Sequence, residues 1–152
     1  PNGRLKEEYL MKADKVVSHR SQKRFENPIL RVKIETQENE SWIKSLDFET
    51  SDTYPVLLNG DEVKNKINVS PGVFEMDQEE RGLSTYFLLH VNSQGRVTGN
   101  NSSWSENSAI SRAVEELFPS LKFSPGTRSG RNVDSYIGFR VKFWLEEGDV
   151  MN

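Results

Sequence analysis

From Val133 to Leu145 the residues alternate between two classes. The odd positions are Val133, Ser135, Ile137, Phe139, Val141, Phe143 and Leu145, and the even ones are Asp134, Tyr136, Gly138, Arg140, Lys142 and Trp144. A period of two predicts a strand with one apolar face. Here the other face is basic and aromatic, and the run is about twice the usual strand length. A second alternation, Leu30-Arg31-Val32-Lys33-Ile34, predicts an earlier strand. Ser84 to Val91 is apolar on both faces and reads as a central strand. Asn92-Ser93-Gln94-Gly95 makes the turn into a return strand that begins at Arg96-Val97-Thr98.

Between these strands the period changes. Ile110, Ala113, Val114 and Leu117 fall at i, i+3, i+4 and i+7, one apolar face of a helix over 108–117. Ser105 and Asn107 are candidate caps, and Pro119 ends the helix. Asn59-Gly60-Asp61 is a hairpin signal between Pro55–Leu58 and Val63–Val69. Trp42 to Phe48 suits a short strand, MDQEERG (76–82) an acidic loop with one helical turn, and Leu5 to Val16 either a hairpin or a short helix. The C-terminal half thus reads strand–turn–strand–helix–strand. That order predicts an α+β fold, a small antiparallel sheet with one packed helix, after a strand-rich N-terminal lead.

Composition narrows the function classes. The 152 residues carry a net charge of −3 with 34% hydrophobic residues, enough for a modest core. A pI near 5.5 argues against nucleic acid as a partner. Residues 1–33 hold nine bases against four acids, and residues 34–81 hold four against twelve. Without cysteine there is no disulfide framework, cysteine nucleophile or cysteine zinc site. No stretch is apolar for long enough to span a membrane as a helix. The chain starts at Pro1 and so reads as a fragment or processed product.

Catalytic constellations are lacking. His19 and His90 are far apart, and His90 sits within an apolar strand. Glu79-Glu80 and Glu115-Glu116 are adjacent pairs whose side chains would diverge on a helix. Ser124-Pro125-Gly126 and Ser129-Gly130 fit neither a nucleophile elbow nor a phosphate loop, and the glycines of 126–130 suit turn geometry. No catalytic residue, cofactor or metal site is assigned. Three Asn-x-Ser triplets, at 39, 68 and 100, match the glycosylation pattern, which matters only in a eukaryotic secreted protein. Trp42, Trp104 and Trp144 suit either packing or stacking on a sugar.

Phe123, Pro125 and Gly126, then Gly130, Arg131 and Val133, then Tyr136, then Val141, Phe143 and Leu145 form an ordered pattern. It resembles the end of the TonB C-terminal domain, in its Bacteroidetes-type version. Phe87–Val91, Gly95-Arg96-Val97 and Ala109–Leu117 occupy the preceding places in order. The resemblance covers roughly 66–147 and departs in Ser70-Pro71, the acidic insert after it and the Asn/Ser-rich loop 98–108. PNGRLKEE (1–8) also resembles the start of a MORN-like repeat. The division expected is a strand-rich extension over 1–65 and a TonB C-terminal-like domain over 66–148.

What the resemblance implies is a non-enzymatic periplasmic adaptor, anchored in the envelope through residues that precede Pro1. Its partner would be an outer-membrane transporter or another envelope protein, whose extended peptide adds a strand to a sheet edge. Val133–Leu145 is the expected edge, with Asp134, Tyr136, Arg140, Lys142 and Trp144 as partner-facing side chains. A homodimer through strand edges is a further expectation. The rival reading is a glycan- or protein-binding envelope module on the same fold, without energy transduction. In a purely structural reading, Arg140 and Lys142 simply guard an edge against aggregation.

Overall fold

The longest strand, β8 (Ser135–Glu147), is long because it serves two neighbours in staggered register. The structure, a computed structural model, describes residues 25–38 and 51–149. Along 135–143, β8 pairs antiparallel with β3 (Leu83–Val91). Along 138–147 it pairs antiparallel with β1 (Pro28–Gln37). On the far side of β3 lies β4 (Val97–Ser105), so the sheet order is β1-β8-β3-β4. The architecture is α+β, dominated by this four-stranded antiparallel sheet, with one helix packed on a face.

That helix, α2 (Ser108–Glu115), begins at Asn107. The Asn107 side chain accepts hydrogen bonds from the N–H groups of Ala109 (2.7 Å) and Ile110 (3.4 Å). Those donors would otherwise lack an intrahelical partner. Ser105 folds back on the cap, its hydroxyl donating to the Asn107 carbonyl at 2.6 Å. Ile110, Val114 and Leu117 are buried against Leu83, Phe87, Leu89 and Val91 of β3 and Ile137, Phe139, Val141, Phe143 and Leu145 of β8. Past the helix, Pro119 lies in a short 3-10 turn (Phe118–Ser120). Phe118 meets Phe87 edge-on at 5.0 Å, a favoured aromatic geometry.

Several expectations change. The run from Val133 is not one strand: β7 (Arg131–Val133) and β8 are separated at Asp134, and β7 closes a hairpin with β6 (Gly126–Arg128). Ser129 (φ 54°) and Gly130 (φ 77°) form its tip, the pair of positive dihedrals that a twist-matched two-residue turn needs. Asn59-Gly60-Asp61 is not a hairpin turn. It opens a short helix, α1 (Gly60–Lys64), because the Asn59 carboxamide is held by Ser120 and Lys122, and Val63 and Ile67 bury at helical spacing. β2 (Val56–Leu57) pairs with β5 (Phe123–Ser124), not with residues 63–69.

The larger correction concerns β8. β8 is not an edge strand, since residues 138–143 have a partner strand on both sides. The strand filling the expected edge is β1, from the segment read as an extension. Val63 and Ile67 share one buried cluster with α2, β3 and β8. Val63 and β1 thus pack across the expected 65/66 boundary. The readings for 1–16 and Trp42–Phe48 lie outside those residues.

Candidate interaction surfaces

One sheet face is covered by α2; the other is open. On the open face stand Arg31, Lys33 and Glu35 of β1, Tyr136, Arg140, Lys142 and Trp144 of β8, Ser84, Tyr86 and His90 of β3, and Trp104 of β4. Cross-strand register aligns them in rows: Tyr86–Arg140–Glu35, Ser84–Lys142–Lys33 and Trp144–Arg31. The five residues expected to face a partner fall into two groups along this surface.

Arg140, Lys142 and Trp144 meet in one shallow cavity of about 320 Å³, completed by Lys33, Glu35 and Glu80. Glu35 ion-pairs with Lys33 and with Arg140, each at 3.2 Å. The hydrogen-bonded Lys33 ammonium, reinforced by Arg140, holds the Glu35 carboxyl below the usual carboxylate range. Arg140 also donates to the Ser84 hydroxyl at 3.4 Å. The Lys142 ammonium lies 5.8 Å from the centre of the Trp144 ring, within cation–π range. The Trp144 indole N–H donates to Glu146 at 3.1 Å and, with Arg31, lowers the pKa of that carboxyl.

Asp134 and Tyr136 lie at the other end of β8. The Asp134 carboxylate accepts the Ser93 N–H at 2.9 Å, tying the β3–β4 turn to the start of β8, and comes within 3.8 Å of His90 Nε2. His90 is hydrogen-bonded to Thr98 through Nδ1. Its ring stands 5.0 Å from that of Tyr136, whose hydroxyl donates to Asn101 at 3.3 Å. These groups brace the bulged β3–β4 hairpin. The sequence reading missed Lys33 and Glu35 as members of the β8 cavity. The Leu30–Ile34 alternation already placed Lys33 on the polar face of its strand, but not beside Arg140, and Glu35 lies one position beyond that alternation.

With β8 enclosed, the edges of the sheet are β1 and β4. α1 lies beside the outer edge of β1, and Val32, Ile34, Leu57, Gly60 and Lys64 line a cavity there. Among the described residues, no strand pairs with the outer edge of β4. Its nine residues, VTGNNSSWS, are almost all exposed and include no charge and no proline. The Glu106 N–H donates to the Ser84 carbonyl (3.1 Å), which makes 84/106 a hydrogen-bonded pair. Antiparallel alternation then turns the main-chain groups of Ser103 and Ser105 outward.

Among the described residues no cluster of three or more histidines and carboxylates is placed to hold a metal ion, and no helix is long and apolar enough to cross a membrane. No protein-family profile, curated protein or solved structure matches the chain.

Proposed function

We propose that the chain is a non-enzymatic interaction domain that binds an extended peptide by adding it as a strand to the free edge of β4. The observation that carries this reading is the edge itself: nine exposed residues without the charges or prolines that usually blunt such edges. Main-chain hydrogen bonds would supply affinity, and alternate side chains such as Trp104, which is 58% exposed, would supply specificity. The order β3-β4-α2-β8 supports a TonB-like reading, in which the domain works in the periplasm and its partner is an outer-membrane transporter or another envelope protein. In that reading β1 fills the edge of β8, so the docking edge moves to β4.

The test is hydrogen exchange with extended peptides from transporter plug domains. Binding should protect the outward amides of Ser103 and Ser105. Ser103→Pro, which removes one outward donor, should abolish binding while the fold persists. Peptide binding that leaves β4 exchange unchanged would overturn the edge assignment. The exposure of Trp104 on the open face favours the glycan-binding alternative, which would replace this reading if envelope oligosaccharides quench Trp104 fluorescence and no peptide binds.

A further inference from the structure

The open face contains a juxtaposition that folding alone does not favour. Lys33 and Lys142 are directly opposed across β1 and β8 on the same side of the sheet. Like charges in this position destabilise a strand pair. Glu35, the nearest compensating carboxylate, is already shared between Lys33 and Arg140. No carboxylate among the described residues lies within ion-pair distance of Lys142. The Lys142 side chain is nevertheless held in place. Its Cε lies so close to Gly82 that a Cβ there would come within 3.0 Å, and its ammonium sits over Trp144. Gly82 (φ 90°) takes a backbone conformation that suits glycine and permits this close approach.

We infer that this corner is a docking site for a single carboxylate side chain, glutamate or aspartate, on the surface of a partner protein. The cavity lining has three cations, Lys33, Arg140 and Lys142, against two carboxylates, Glu35 and Glu80. The excess is one positive charge, which one carboxylate neutralises; a doubly charged phosphate would leave excess negative charge beside Glu35 and Glu80. Cross-strand neighbours stand about 5 Å apart at Cβ, so two lysine side chains can converge on one carboxylate. Trp144 provides an apolar wall for the methylenes of the incoming residue. The site opens along the sheet and does not enclose its ligand, which suits a side chain delivered by a larger surface. The inference does not rest on strand addition at β4, two strands away.

The probe is a glutamate-rich peptide titrated into the full chain. Its all-glutamine counterpart and inorganic phosphate serve as parallel arms, with the lysine side-chain NMR signals as readout. The glutamate peptide alone should shift Lys33 and Lys142. Lys142→Met should weaken that binding about tenfold, the loss expected for one charge-assisted contact. Because Lys142→Met also removes the like-charge opposition, it should raise the melting temperature by about 1–3 °C. Ser103→Pro should leave the titration unchanged, which separates a failure here from a failure at the β4 edge. Equal or larger shifts with phosphate, no shift with any arm, unaltered binding to Lys142→Met, or a lowered melting temperature would each overturn the inference.

Discussion

The phenol of Tyr86 lies across the Cα of Gly138, one strand over and two positions along from its own cross-strand partner, Arg140. A side chain at 138 would collide with the Tyr86 hydroxyl and approach the Gln37 carbonyl oxygen to 3.0 Å. A glycine within a strand leaves bare backbone and weakens the strand. Here the tyrosine ring covers the gap, and burial pushes its phenol pKa up. The glycine lets β1, β8 and the Tyr86 ring converge at one point of the open face.

Gly138→Ala should therefore destabilise the fold by about 1–3 kcal/mol, the usual cost of overpacking, measured by chemical denaturation. Tyr86→Phe removes the colliding oxygen. In a double-mutant cycle the pair should cost less than the sum of the two single changes, because the sites share one contact. Strict additivity would show that the ring swings clear of residue 138.

Asn59 joins two segments far apart in the chain. Its side-chain amide donates to the Ser120 carbonyl at 2.8 Å, and its side-chain oxygen accepts the Lys122 N–H at 3.0 Å. Asn59→Ala should cost about 1–3 kcal/mol, because it leaves two backbone groups without that partner. The same change should speed exchange at the Lys122 amide before it affects β3. A loss below a few tenths of a kcal/mol would mean that water replaces both contacts.

The same residue shows where local reading of the sequence fails. Asn-Gly is a strong turn signal, yet its outcome at 59–60 was set by Ser120 and Lys122, which no window around residue 59 contains. The odd face of β8 and the apolar stripe of α2 were legible because each is marked by its own period. The turn at Asn92–Gly95 marked the start of the β3–β4 hairpin, but β4 runs on to Ser105 through residues read as an Asn/Ser-rich loop, because its exposed polar positions carry no period. The pairing of β1 with β8 was not. Alternation shows that a strand has two faces, but not how many neighbours it has. Arg140 and Glu35, which meet at 3.2 Å, stand 105 positions apart. The even face of β8 was thus correctly singled out as unusual, while its edge position and its companions Lys33 and Glu35 depended on strand order.

Acid should weaken the open face through Glu35 and Glu146. Both carboxyls have folded pKa values below the ordinary 4.5, Glu35 through Lys33 and Arg140, Glu146 through Trp144 and Arg31. The unfolded chain therefore takes up protons first as pH falls. The stabilisation is present above the ordinary value and is lost as pH drops from there through the lower folded values. Melting temperatures followed from about pH 6 to about pH 3 should fall less steeply in Glu35→Gln and Glu146→Gln than in the parent. Both groups reach solvent, so added salt should shrink the difference. Parallel curves for parent and variants would assign the acid sensitivity to other carboxyls.

The place of β1 in the sheet can be tested without truncating the chain. Leu30, Val32 and Ile34 face the buried cluster and pack on it while only partly buried themselves. If β1 is integral to the domain, Ile34→Ala should cost about 1–2 kcal/mol, below the range for fully buried sites. Far-ultraviolet dichroism and tryptophan fluorescence should then shift to the same new midpoint, as one cooperative unit requires. An appended strand would behave differently: β1 would detach first, the two probes would separate, and exchange would rise at the Trp144 and Glu146 amides, which face β1, but not at Leu145, whose N–H donates to the Glu79 carbonyl at 2.7 Å. Coincident transitions would make β1 part of the folding unit, and with it the occupied edge of β8 that leaves β4 as the docking strand.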